Sequence, residues 1–295
     1  MNKSSFIIPV YPPHYNFLNF LNKLNSKIEF DIFLVLSFKS DLIELNNNYN
    51  YNKIYKVIVL EEYFKRSFIE YIINKKIIIT FKKYFALNLL KTQYLYCATI
   101  DCEVEFVNTN NIFDKFKTFC NNKKIIGSSI NTNDFRHKII KDINVTSSIY
   151  FKDTEHYNKL INITNNFNIY FWFSDIPIYD MSYITDFFTF INFNDYNKFI
   201  ENTKWEIFDY IPYAYFMTLF NGYSFVNIKD YGLTREWSLE SMPIKTYKQV
   251  IDKTNYRPLW LIHNTYNENK DNIDNDDIIL TYHCNDGRYI IVNDN

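Results

Sequence analysis

Glycine is almost missing from this chain: there are four in 295 residues, and none precedes Gly127. A P-loop or a G-x-G-x-x-G dinucleotide site needs glycines right after its first strand, so that backbone amides can approach phosphate. Kinases, Rossmann dehydrogenases and nucleotidyltransferases built on such a loop are therefore excluded. Cysteine is sparse too. Cys97, Cys102, Cys120 and Cys284 contain no C-x-x-C pair, which favours reduced thiols over a disulfide framework and argues against a zinc site. No long run of one charge sign occurs. With 32 basic and 33 acidic side chains the net charge is -1, unlike a protein that binds nucleic acid by neutralising phosphates. The longest apolar runs, such as Ile32 to Phe38, are far below membrane-spanning length, which leaves a soluble or peripherally associated protein.

What the chain has instead is apolar and aromatic mass. Hydrophobic residues make up 47% and aromatics 20%, including 28 Phe and 26 Tyr, enough for a sizeable core. The enrichment in Asn, Ile, Lys, Tyr and Phe follows AT-rich codons and carries no functional weight. The first third alternates short apolar runs with helical spacing, the pattern of βαβ units around a mainly parallel sheet. Strands are expected at Ser5 to Val10, Asp31 to Ser37 and Tyr55 to Leu60. A helix is expected over His14 to Leu24, a short one over Asp41 to Leu45, and a small edge element at Ile77 to Ile79. FKKYFALNLLK, from Phe81 to Lys91, reads as a helix and leads into an apolar strand, Tyr94 to Ile100. Further on, helices are expected near 111–121, 152–163 and 210–221, with strands at 124–128 and 224–228. With no internal repeat and no linker, the expectation is one α/β domain over 1–295: a Rossmann-type, mixed but mainly parallel sheet flanked by helices.

The strand ending at Ile100 is followed by Asp101-Cys102-Glu103. Ligands of open α/β sheets sit beyond the carboxyl ends of strands, so acids there are placed for chemistry. If the backbone stays extended, Asp101 and Glu103 face one side and Cys102 the other. Two adjacent carboxylates repel unless a cation joins them. Mg²⁺ or Mn²⁺ prefers such oxygen ligands, and a nucleotide diphosphate would complete the shell. Such a metal acts as a Lewis acid on a departing diphosphate. Glu105 continues the alternation and could assist. A bare D-x-E is also what a solvated strand edge looks like.

Together, SFIIPVYPPHY, KKYFALNLLK, YLYCATIDCEVEF and IYFWFSDIPIYD resemble GT-A glycosyltransferases, particularly those of large DNA viruses and bacterial surface-glycan loci, over most of the chain. The family writes its metal motif D-x-D, whereas Glu103 stands in the last position here and keeps an oxygen ligand. The resemblance implies a UDP- or GDP-sugar lying across the first strand ends, a metal on Asp101 and Glu103, and a glycan or other hydroxyl acceptor. It implies Tyr11 near the nucleotide, Ser37 and Asp41 near base or ribose, and Lys82 and Lys83 near the diphosphate. Residues 1–130 would form the donor half and 131–295 the acceptor half. It also implies a cytoplasmic enzyme, in the host cytoplasm if viral, and His283 in LTYHCND as an extra metal or diphosphate ligand, ahead of His263. The bland readings stay open: Ser37 as a helix cap and the two lysines as solvated charges.

On the acceptor side, Tyr170, Phe171, Trp172, Phe173, Ser174, Asp175, Tyr179 and Asp180 combine aromatic faces with polar groups, as sugar sites do, although core packing accounts for the aromatics equally. An inverting transferase needs a carboxylate base, and Asp209 in WEIFDYIPYAYF is the candidate, with Asp175 and Glu206 as alternatives. Helix capping would explain Asp209 without chemistry. A glycan-binding or scaffold protein on the same fold is the non-catalytic alternative.

Overall fold

The computed structural model of the chain describes residues 4–12, 15, 18, 30–48, 55–102, 104–106, 118, 120–129, 146–151, 155–156, 158–159, 169–170, 177–205, 207–227, 230, 233–234, 257–258, 260–261 and 281–283. Its centre is a five-stranded sheet of β1 (Ser4–Pro9), β2 (Phe30–Leu36), β3 (Tyr55–Val59), β4 (Tyr96–Thr99) and a later strand, Ile178–Asp180. Between β4 and that strand come β5 (Val104–Phe106), β6 (Lys124–Ser129) and β7 (Ile169–Tyr170), so Ile178–Asp180 is β8. The order is β3-β2-β1-β4-β8. The first four strands run parallel, and β8 pairs antiparallel with β4, Cys97 opposite Tyr179. The fold is thus α/β with a mixed, mainly parallel sheet flanked by helices.

The strands lack the polar–apolar alternation of a half-exposed sheet because both faces are covered. Ile7, Phe33, Val35 and Cys97 face one core, and Phe6, Ile8, Ile32, Leu34, Leu36, Tyr96 and Ala98 face the other. The first core takes in α2 (Arg66–Asn74) and α3 (Ile78–Leu90). It also takes in α4 (Ile184–Phe190), α5 (Tyr196–Asn202) and α6 (Tyr210–Phe220). The second is closed by Tyr15, Leu18 and Leu45, the last on α1 (Lys39–Asn48). Gly222, at φ 71, follows α6 in the left-handed conformation that a Cβ disfavours.

Smaller sheets use β6 with β7 and with β9 (Ser224–Asn227), and β10 (Leu233–Thr234) with β11 (Arg257–Pro258). A further one joins β5 to β13 (Thr281–His283) and β13 to β12 (Trp260–Leu261). Among the described residues no helix is long and apolar enough to cross a membrane.

Two local expectations are corrected. Ile77 to Ile79 is no edge element: Ile78 opens α3, and the apolar run reflects a helix buried on nearly every side, from Phe81 to Leu87. Nor does β4 continue through Asp101 and Cys102. β4 ends at Thr99 and Cys102 is buried in a turn, which sends the chain out of the central sheet into β5. Helices α2 and α5 were not anticipated.

The strand order decides where a ligand can enter. From β1 the chain proceeds through β2 and β3 on one side, then crosses to β4 on the other, so the direction of winding reverses between β1 and β4. At such a switch point the connections leave in opposite directions and open a crevice beyond the carboxyl ends. Val10 and Tyr11 stand at the end of β1, and Ile100 and Asp101 at the end of β4.

Candidate active site

Helix α3 precedes β4 and carries two adjacent lysines. Both are buried, Lys82 at 2% exposure, which overturns the reading of them as solvated charges. Lys83 Nζ lies 2.9 Å from Oδ1 of Asp101 and 2.9 Å from Oδ1 of Asp209. Burial alone would lower the affinity of this lysine for its proton, but the two carboxylates outweigh it and hold the ammonium above its usual range. Lys83 is therefore a fixed cation. The Asp101 side chain is 32% exposed where Lys83 and Asp209 are at 8%. Asp101 is the most exposed member of the trio.

Asp209 closes the network from the far side. It precedes α6 but makes no side-chain cap to the helix, so the capping explanation does not hold. Its Oδ2 accepts from Tyr179 OH at 2.8 Å and Thr99 Oγ1 at 3.2 Å, while Tyr84 OH donates to its backbone carbonyl at 2.6 Å. Burial first, then the neighbouring Asp209 charge, raises the Tyr84 and Tyr179 phenols well above their usual range, so both remain donors. Tyr179 is thus a buried strut rather than an exposed acceptor platform. Asp180 is likewise occupied, accepting from Ser182 and Tyr223. Thr99 and Tyr84 escaped notice in the sequence. Thr99 had a usable signal, since it lies two residues before Asp101 and strand alternation puts both on one face.

Tyr11 follows β1 and is half exposed. Ser37 is buried, and its carbonyl accepts from Glu61 N at 3.1 Å. The first amides of α1 are taken by acids instead. Asp41 Oδ2 accepts from Phe38 N at 3.0 Å and Glu61 Oε2 from Lys39 N at 2.8 Å, a role that suits carboxylates at a helix N-terminus. Glu103, Asp175 and Glu206 lie outside the described residues.

His283 enters by backbone register. On β13 it pairs opposite Val104 of β5, and Tyr282 opposite Glu105, which brings a strand from far later in the chain alongside the acidic segment. Among the described residues no three His, Cys, Asp or Glu side chains form a metal cluster. The donor chemistry nevertheless suits a hard divalent ion. Asp101 is partly exposed, and two carboxylates stand against one ammonium in the trio.

No protein-family model matches the chain, and no curated protein matches it. Among solved structures it is similar to the mannosyltransferase Ktr4p of S. cerevisiae in complex with GDP, at 12% identity and TM-score 0.39, covering 76% of this chain and 69% of that one. It is also similar to core-mannan synthase A of Aspergillus fumigatus in its Mn/GDP form, at 12% identity and TM-score 0.39, covering 78% and 73%. For mouse xyloside xylosyltransferase 1, apo form, the figures are 9% identity, TM-score 0.42, and 96% and 97%. Overlaps this loose leave the activity to be argued from the chain's own residues.

Proposed function

We propose that this chain is a cytoplasmic glycosyltransferase that moves a sugar from a UDP- or GDP-linked donor to a glycan or other hydroxyl acceptor. The observation that carries this reading is Asp101. It is a partly exposed carboxylate at the end of β4, across the switch point from β1, paired with a buried lysine that is itself anchored by Asp209. The sequence resemblance of the DCE strand end and its preceding helix points the same way.

Asp101 and Glu103, with His283, would hold Mn²⁺ or Mg²⁺, and that ion would supply Lewis-acid stabilisation of the departing diphosphate. Lys83 keeps Asp101 oriented, so that little reorganisation is needed when a donor arrives. Tyr11 lies where a nucleotide spanning the two strand ends would meet it. A carboxylate base must take the proton of the acceptor hydroxyl if the reaction inverts configuration. Asp175 and Asp209 are the candidates. For Asp209 the acceptor would have to displace Tyr179 or Thr99 from Oδ2, since both of its oxygens are already engaged.

Calorimetric titration of UDP and GDP, with and without Mn²⁺, tests the reading on wild type and Asp101→Asn. Metal-dependent binding that disappears in the variant is the expected result. Nucleotide binding indifferent to both metal and Asp101 would sink it, and sugar binding without nucleotide would favour the glycan-binding alternative.

A further inference from the structure

Helix α3 runs against the direction of the strands it covers. One turn into it, Lys82 Nζ donates to the carbonyl of Val10 after β1 at 2.6 Å, and Lys83 meets Asp101 after β4. Its far end leads to Tyr94, which donates to Asp31 near the start of β2. The first turn of α3, from Ile78, thus stands at the carboxyl ends of the strands, the side on which a ligand of such a sheet enters. Thr80 in that turn donates from Oγ1 to the carbonyl of Ile207 at 3.5 Å, one helical turn before Lys83 meets Asp209. The segment between α5 and α6 is therefore laid along the rim of the site.

That segment is pinned on both sides of Trp205. Before it, Thr203 is buried, donates to the carbonyl of Phe199 at 2.7 Å and is hydrogen-bonded to Tyr150 OH at 2.6 Å. After it, Ile207 is buried, and its amide closes a turn onto the carbonyl of Lys204 at 3.1 Å. Trp205 itself is 62% exposed, and among the described residues its indole packs on no other ring. A single apolar side chain on a surface needs no explanation in general. This one is the largest of its kind, it stands at the ligand end of the sheet, and its backbone is already fixed. A ring held in place in this way binds without losing further freedom.

The side of the sheet on which Trp205 stands decides its ligand. The strand order is β3-β2-β1-β4-β8, and Asp209, four residues after Trp205, is held by Thr99 of β4 and Tyr179 of β8. Tyr11 and Asp41 follow β1 and β2, on the other side. A donor with its nucleotide toward β1 and β2 and its diphosphate at Asp101 leaves the β4–β8 side to the acceptor. We propose that Trp205 is the stacking platform for a sugar ring of that acceptor, with the apolar C–H face of the sugar on the indole and its hydroxyls toward water. The proposal rests on the transferase reading for the chemistry of the ligand. It moves the acceptor aromatic from the block around Tyr179, a buried strut, to the turn before α6.

The test compares wild type, Trp205→Ala and Trp205→Phe on arrayed neutral oligosaccharides of hexoses and pentoses, with UDP or GDP and Mn²⁺ present. Because the ring is exposed, both variants should keep the urea midpoint of wild type. Wild type should retain at least one oligosaccharide. Trp205→Ala should bind it on the order of tenfold more weakly, the loss expected of one stacked ring, and Trp205→Phe should recover most of the difference. Calorimetric affinity for the nucleotide with Mn²⁺ should be the same in all three proteins. Equal oligosaccharide binding by wild type and Trp205→Ala, or none by wild type, overturns the platform and leaves the transferase reading to its own test at Asp101. A loss of nucleotide affinity in Trp205→Ala would assign the ring to the donor. Sedimentation with phosphatidylserine vesicles that needs Trp205, beside unchanged oligosaccharide binding, would assign it and the exposed Lys204 to a membrane surface. Either result overturns the proposal. Oligosaccharide binding that needs Trp205, in a protein whose nucleotide binding ignores Asp101, keeps the platform and removes the transferase.

Discussion

Lys83 and Asp209 are 126 positions apart in the chain and meet at 2.9 Å, each with a side chain only 8% exposed. The pair joins α3 to the start of α6 and is extended by Lys83 to Asp101 after β4. Removing one member of a buried pair leaves the other desolvated and unmatched, at a cost of about 3–5 kcal/mol. Lys83→Met leaves the Asp209 carboxylate without a cation and is expected to lose stability on that scale in urea denaturation. Asp209→Ala should lose less, since Lys83 keeps Asp101. The double variant should lose less than the sum, and strictly additive losses would show that the two are not coupled.

Tyr179 and Tyr84 both donate to Asp209, but to different acceptors. Tyr179 serves the carboxylate and Tyr84 the backbone carbonyl. Bonds to charged groups contribute about 1.5–3 kcal/mol and neutral ones about 1. Tyr179→Phe should therefore destabilise more than Tyr84→Phe in the same denaturation assay. The reverse order would mean that Tyr179 does not serve the Asp209 charge.

Stability against pH offers a check on Lys82. Its folded-state value, about 8, is below the ordinary lysine value of 10.5, so between those limits the unfolded chain holds the extra proton and stability rises with pH. Lys82→Met removes this burden. The variant should be more stable than wild type at pH 7, and the gain should shrink as pH climbs from 8 toward 10.5. Comparing the two proteins cancels the cysteines and tyrosines that titrate in the same range. A difference independent of pH would show that Lys82 is not a desolvated cation.

His283 is the backbone partner of Val104 in the register of β13 with β5. If it completes a site with Asp101 and Glu103, His283→Ala should weaken Mn²⁺ binding on the order of tenfold or more, at least the loss seen when only a supporting group is removed. Tyr282→Phe should leave it unchanged. Mn²⁺ binding followed by electron paramagnetic resonance gives the answer, and equal affinities would remove β13 from the metal site.

Much of the fold was legible because its signals are local. Ser5 to Val10, Asp31 to Ser37 and Tyr55 to Leu60 differ by one or two residues from β1, β2 and β3, and the expected helix over 210–221 is α6 within one residue. Apolar runs of five or six residues behave as buried parallel strands. The site was legible only in part. Asp101 could be picked out by following an apolar strand. The burial of Lys82 and Lys83 could not, because on a helix covered all round the usual contrast between polar and apolar faces is missing. The turn at Cys102 was hidden too, since residues 104–106 pair with 281–283 and nothing nearby in sequence announces that partner.

The sequence by itself determined that an α/β sheet forms, that β4 ends in acid, and that no glycine loop approaches phosphate, because periodicity, strand termini and residue content are properties of neighbouring positions. Only the tertiary structure decided that Asp209 turns away from its helix toward Lys83, that Thr99 and Tyr179 hold it there, and that Lys82 is left with one carbonyl. Those outcomes depend on which side chains, tens to more than a hundred residues apart, are taken out of water together. A buried charge is settled by the partners within reach of it, and chain order does not specify them.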